Sequence, residues 1–270
     1  MQAIIDAIQQ DELLDAALRV AEQVGQRNSR QAYQARVGLM TEQMSDALAG
    51  IAHDQDGLTR FLNYFYRHLA FSGREMDALS SKHCLIQRVI DYRTGIPVTL
   101  GILLTHFAKA LGFNASCVNF PGHFLVSFSI DEDEPLYVDP LNGNSLSVQA
   151  LESMYCSVME EEEDEMPANL LEPAKSEDVI IRLLNNLKAS FMLEQQFQYA
   201  LVCVDLLILL CPNDPYERRD RGFLLHQLDC PQMALADYQY FIRHCPQDPA
   251  AQLLKIQLRH LHNSPPVVLH

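Results

Sequence analysis

The chain has 270 residues, 48% of them hydrophobic and 20% charged, with a formal net charge of −15. That length supports one large or two modest cores, and the composition excludes a largely disordered polypeptide. So acidic a chain makes a poor direct partner for nucleic acid, whose phosphates need a basic surface.

The first ten residues carry no basic start, so no secretory leader is expected and a cytoplasmic location fits. The most apolar run, 201–210, is interrupted by Asp205 and is too short for a bilayer, so no membrane association is expected. The seven cysteines (84, 117, 156, 203, 211, 230, 245) form no C-x-x-C pair and no metal-ligand spacing. They read as reduced, buried thiols, with no metal and no cofactor implied.

Residues 1–80 read as helical. Leu13, Leu14, Ala17, Leu18, Ala21 and Val24 keep a 3.6-residue spacing that Gly25 closes. A second helix runs from Ser29 to Gly50, with a break expected around Gly38. A third covers 58–71 and stops at Gly73. Ser80 or Ser81 caps a fourth that carries Leu85, Ile86, Val89 and Ile90 into Tyr92. His53, His68, His83 and His106 lack i, i+4 pairing and read as surface or packing residues rather than ligands.

The stretch 92–144 organises the rest. Arg93-Thr94-Gly95-Ile96-Pro97 is a helix start with proline in the first turn, where its missing N–H costs nothing. From Val98 to Leu111 apolar residues occupy every face, so this helix should be buried on most sides before Gly112 ends it. Ala115 to Phe120 reads as a short strand and Pro121-Gly122 as a turn. His123 to Ile130 alternates as a half-buried strand does, and Leu136 to Asp139 returns antiparallel to it. The hairpin brings His123 and Asp139 to one end. A histidine with a carboxylate partner, facing a buried helix start, is the geometry that activates a nucleophile.

RTGIPVTL at 93–100, NFPGHFLV at 119–126 and YVDPLNGN at 137–144 resemble, in that order, the transglutaminase-like (papain-related) superfamily. Within it they are similar to the SirB-one-type proteins, a bacterial group named for a link to virulence-gene regulation. The resemblance puts His123 and Asp139 at the histidine and aspartate of a Cys-His-Asp triad, with Arg93, Pro97, Cys117, Asn119 and Asn142 lining the cleft. The helix start, however, reads Pro97-Val98-Thr99-Leu100 and holds no cysteine. Thr99 is the nearest equivalent, within about a residue, and a threonine hydroxyl is a poor nucleophile unless strongly activated. Cys117, just before the Pro-Gly-His turn, is the one other thiol to consider. His123 also has a plain structural use, as a hydrogen-bonded residue closing the hairpin.

After Asn144 a short helix covers 151–159, and 160–165 is a run of six acidic residues that reads as a solvated loop, or else as a docking patch for a basic partner or divalent cation. From Glu177 the sequence repeats. Cys211-Pro212-Asn213-Asp214-Pro215 returns as Cys245-Pro246-Gln247-Asp248-Pro249, and Ala200-Leu201 as Ala234-Leu235, an offset of 34 residues. That is the tetratricopeptide (TPR) period, with Gly222 at a small-residue position and a capping helix over 250–261. Arrays of this kind present a groove to a peptide or helix; Arg182, Asn185, Asn186, Arg218, Arg219 and Arg221 are the polar residues that could face it. Each could equally be part of an ordinary solvated helix face.

The expected fold is α+β and mainly α. It comprises a helical lead (1–80), a transglutaminase-like core with a small antiparallel sheet (81–159), an acidic linker (160–174), TPR helices (175–262) and a tail (263–270). The first functional expectation is a non-catalytic interaction or regulatory protein, binding a protein or peptide partner through the repeats. The alternative is a hydrolase or acyl-transferase with His123 as base, Asp139 orienting it and Thr99 as nucleophile. A third is a binder of a small ligand or peptide amide in the same cleft, without turnover.

Overall fold

The structure, a computed structural model, describes residues 1–25, 29–73, 79–130, 134–159 and 166–263. Internal contacts divide the chain into two units, Met1–Ser190 and Phe191–His270. The acidic run 160–165 and most of the tail lie outside the described residues.

The first unit opens with α1 (Gln2–Gln9), α2 (Leu13–Gln23) and α3 (Arg30–Ala47). α3 runs unbroken through Gly38 rather than breaking there. The cost of one mid-helix glycine, about 1 kcal/mol, is met by the burial of Tyr33, Val37, Met40 and Met44 on one side. The third expected helix begins earlier than its apolar stripe suggested. In α4 (Gln55–Asn63) the Asp54 carboxylate caps the Gly57 N–H, and the chain then widens into a π-helical turn, Tyr64–His68. The fourth expected helix is two: α5 (Ser81–Cys84) and α6 (Ile86–Tyr92), separated by an extended Leu85. A short parallel ladder joins β1 (Ser72–Gly73) to β2 (Thr94–Gly95).

α7 (Pro97–Ala110) is the core helix that its sequence predicts, with eleven of its residues buried, from Pro97 to Ala108. Gly112 leaves it at φ +90°, a conformation open to glycine. Four antiparallel strands follow in the order β3 (Asn114–Val118), β4 (Leu125–Ser129), β5 (Leu136–Val138) and β6 (Ser145–Leu146).

β4 begins at Leu125, two residues after His123, and is buried on both faces from Leu125 to Phe128 rather than on one. One face meets α7 and the rings of Phe61 and Phe113. The other packs Leu125 with Val118, Phe120 and Tyr137 beneath Leu151 and Tyr155 of α8 (Val148–Met159). The polar Ser127 is accommodated because its hydroxyl donates to the Ser116 carbonyl at 3.3 Å. A 3-10 turn, Ala168–Leu171, leads into α9 (Ser176–Leu193).

The second unit holds α10 (Phe197–Leu210), α11 (Pro215–Gln227), α12 (Pro231–His244) and α13 (Pro249–Asn263). The 34-residue echo is geometric as well as sequential. Asp214 accepts the Tyr216 N–H and Asp248 the Ala250 N–H, each at 2.8 Å, while Cys211 and Cys245 end α10 and α12 in matching backbone conformations. A β-carbon on Gly222 would lie 2.6 Å from the Tyr238 ring, so the small residue lets α11 and α12 approach. Leu225, Ala234, Tyr238, Phe241, Ala251 and Leu254 form the core.

Candidate active site

The turn before β4 is tied by the His123 N–H donating to Phe120 O at 3.1 Å. Phe124, fully buried, then fills the space above Gly101 of α7, where a β-carbon would stand 2.5 Å from its ring. Arg182 of α9 closes the opposite side. Its Nη1 donates to Asn119 Oδ1 at 2.6 Å and to Phe120 O at 2.9 Å, and its guanidinium lies 5.7 Å from the Phe124 ring centre. The backbone that carries His123 is therefore clamped from two helices.

The His123 imidazole meets Asp139 with Nε2 3.3 Å from Oδ1, both side chains mostly buried. Asp139 is already busy. Its Oδ1 accepts the Leu141 N–H at 2.8 Å and its Oδ2 accepts Asn142 Nδ2 at 3.2 Å. Its own N–H donates to Asn144 O, and its carbonyl accepts Gly143 N–H. This Asx-type turn rests on the π-helical segment: the Tyr66 hydroxyl donates to Pro140 O at 2.9 Å, and Gly143 packs against the Tyr66 ring. Burial, helped by the Asp139 charge, raises the Tyr66 pKa so that the phenol stays protonated. Leu141 O also accepts the Gly73 N–H at 2.9 Å, which ties the same turn to β1.

The start of α7 is chemically closed. Thr99 is fully buried; its hydroxyl oxygen accepts the Ile96 N–H at 3.1 Å and has the carbonyls of Ile96 and His83 as acceptors at 3.0 and 3.1 Å. A hydroxyl placed this way serves the first turn of the helix, as capping geometry requires. Cys117 is buried in β3, with Sγ 3.4 Å from Thr105 Oγ1, and burial pushes its thiol up to about 11. At neutral pH it is a protonated thiol, the unreactive form.

Of the residues expected to line the cleft, Asn142 joins Asp139, and Asn119 joins the His123 turn through Arg182. Pro97 occupies the first turn of α7, as expected. Arg93, left-handed at φ +59°, is committed elsewhere: its guanidinium lies over Phe71 and contacts Met40. The residues expected in a repeat groove also divide. Arg182, Asn185 and Asn186 lie on the part of α9 that belongs to the first unit. Arg182 clamps the His123 turn, Asn185 donates to Ile181 O in its own helix, and Asn186 O receives the Cys84 thiol. In the second unit, Arg221 and Arg218 pair with the buried Asp237. Arg219 pairs with Asp220 and lines a cleft of about 310 Å³ with Phe223, Tyr238, Leu253 and Leu254.

Two contributors were missed in the sequence, Tyr66 and the clamping role of Arg182. Nothing local marks either, since each acts on residues more than sixty positions away. Among the described residues there is no cluster of three or more metal-ligating side chains, and no helix is long and apolar enough to cross a membrane.

Comparison with known proteins gives two family matches: the transglutaminase-like superfamily over residues 12–185 and a tetratricopeptide repeat over 187–259. A UPF0162 protein of Vibrio cholerae is 38% identical over 230 residues, which cover 84% of this chain and 85% of that protein. Protein SirB1 of Salmonella typhimurium is 31% identical over 241 residues, 87% of this chain and 85% of its own. The UPF0162 protein YchA of Escherichia coli is 32% identical over 216 residues, 80% of each. No solved structure matches.

Proposed function

The chain belongs to the transglutaminase-like superfamily and carries tetratricopeptide repeats behind that domain; from there we propose that it works by binding a protein or peptide, with no covalent catalysis. The observation that carries this reading is the state of Thr99. A base can activate a hydroxyl only if it reaches the hydroxyl proton, and here that proton faces backbone carbonyls inside the fold. In this reading the His123–Asp139 pair is kept as the fastening of a turn. Asp139 spends its remaining acceptor sites on Leu141 and Asn142.

The binding surface in this proposal is the cleft of the second unit. Phe223 and Leu253, 40% and 63% exposed, sit in its wall beside Arg219. Large apolar side chains left in water around a concavity are the usual mark of an interaction site. The test is the Phe223→Arg/Leu253→Arg double variant of the full chain. It should keep the wild-type melting profile and lose the partners that the wild-type chain retains in affinity capture. An unchanged set of partners would sink the binding reading.

One observation favours the alternative, a hydrolase or acyl-transferase. The Asp139 contact is made through Nε2, which leaves Nδ1 of His123 for a second group, as an orienter–base pair requires. A burst of product from p-nitrophenyl acetate that disappears in His123→Ala would decide for it.

A further inference from the structure

A cavity of about 570 Å³ opens in the first unit, and neither His123 nor Asp139 lines it. Its walls are the α1–α2 turn, α3, the outer face of α7, β3 and the segment leading into α9. The volume falls within the range of small-molecule sites.

The wall contributed by α3 includes Gly38, in mid-helix, where a β-carbon would meet nothing within 4 Å. Glycine there costs the helix roughly 0.5–1 kcal/mol relative to alanine, and no close approach requires it. A longer side chain there would reach over the cavity that Gly38 lines.

The charges are uneven. Asp15 is satisfied by Arg19, Arg30 and Gln34. At the rim the lining residues include two carboxylates, Asp11 and Glu12, and one ammonium, that of Lys109, which lies 3.6 Å from Asp11. One carboxylate is in surplus. Asp11 is held in place by a left-handed backbone at φ +57° and by the Ser176 hydroxyl at 2.5 Å. Inside, burial lowers the His106 pKa, so its ring is neutral at pH 7 and adds no positive charge. Leu14, Val37 and Ile102 supply apolar surface.

We propose that this cavity binds a small organic cation, a primary amine on a compact apolar body, with its ammonium at Asp11 and Glu12 and its body against Leu14, Val37 and Ile102. This site is independent of the repeat cleft and of the His123–Asp139 pair, so it stands or falls separately from the function proposed above.

The experiment is calorimetric titration of the full chain with phenethylamine and with 3-phenylpropionate, which has a similar body and the opposite charge. The wild type should bind the amine saturably and not the acid. Glu12→Gln should weaken amine binding about two- to five-fold, the range of an exposed ion pair. Gly38→Leu, which fills the cavity from a helix that favours leucine, should abolish it. The proposal is overturned by absent amine binding, by equal binding of the acid, by unchanged affinity in Glu12→Gln, or by a Gly38→Leu chain that still binds.

Discussion

Nε2 of His123 lies 3.3 Å from Oδ1 of Asp139, and the same oxygen receives the Leu141 N–H at 2.8 Å. The carboxylate is shared between a side chain and a turn, and the turn makes the closer, hydrogen-bonded contact. Removing each partner should therefore have unequal effects. His123→Ala gives up a long polar contact and should cost less than about 1 kcal/mol, whereas Asp139→Ala takes the acceptor of the part-buried Leu141 N–H and should cost about 1–3 kcal/mol. Chemical denaturation of the two variants measures the difference. Equal costs would mean that the imidazole, not the turn, is the main partner of Asp139.

Thr99→Val tests the closed helix start. It keeps the shape but removes the hydroxyl's own bonds and the nearer of the two acceptors of the Ile96 N–H, which keeps the His83 carbonyl at 3.3 Å, a loss of about 1 kcal/mol. A stability within 0.5 kcal/mol of wild type, roughly the spread of neutral surface changes, would show that the hydroxyl is free for another use.

Arg182→Ala should destabilise the first unit by about 2–3 kcal/mol, because two charge-assisted hydrogen bonds and the contact with the Phe124 ring go together. Arg182→Lys should recover little, since one ammonium does not reproduce the fork and the stacked plane. Full recovery by lysine would reduce the clamp to a simple charge effect.

Cys117 gives a pH-dependent expectation. Its thiol is raised from 9.0 to about 11 by burial, so the folded chain keeps a proton that the unfolded chain releases. The contribution is fully present below pH 9 and is lost as pH rises towards 11. At pH 8, iodoacetamide should modify the exposed Cys230 well before Cys117, with peptide mass spectrometry reporting the order. Early labelling of Cys117 would contradict its assigned burial.

In the second unit, Asp237 is 2% exposed and is held by Arg221 at 2.6 and 2.7 Å. Asp237→Ala takes the carboxylate from Arg218 and leaves Arg221 with Asp205 alone, at 3.4 Å, and should cost about 1.5–3 kcal/mol in thermal or chemical unfolding. A loss below 1 kcal/mol would place the pair in solvent instead.

Sequence patterns found what is local. α7 stands out because apolar residues cover all its faces, and the repeats because a Cys-Pro-x-Asp-Pro corner returns after 34 residues with the same cap. The His123–Asp139 pair was legible because hairpin strands bring their open ends together. Other features had no local signal. Ser127 made β4 look half-exposed, although a bond to Ser116 allows it to be buried. The π-helical turn that aims Tyr66 adds width without altering the apolar spacing. Arg182, which the repeat pattern aimed at a groove, reaches back more than sixty residues to hold the histidine turn, a contact that only folding creates.

The proposed binding function requires that no side chain form a covalent intermediate under the control of His123. Intact-mass spectrometry of the wild type and His123→Ala after incubation with an electrophilic glutamine analogue, a chloroketone, measures this directly. Non-catalytic binding predicts the same slow, thiol-limited labelling in both chains, led by Cys230. A rapid stoichiometric adduct on residues 96–99 or on Cys117, present in the wild type and lost in His123→Ala, would contradict it.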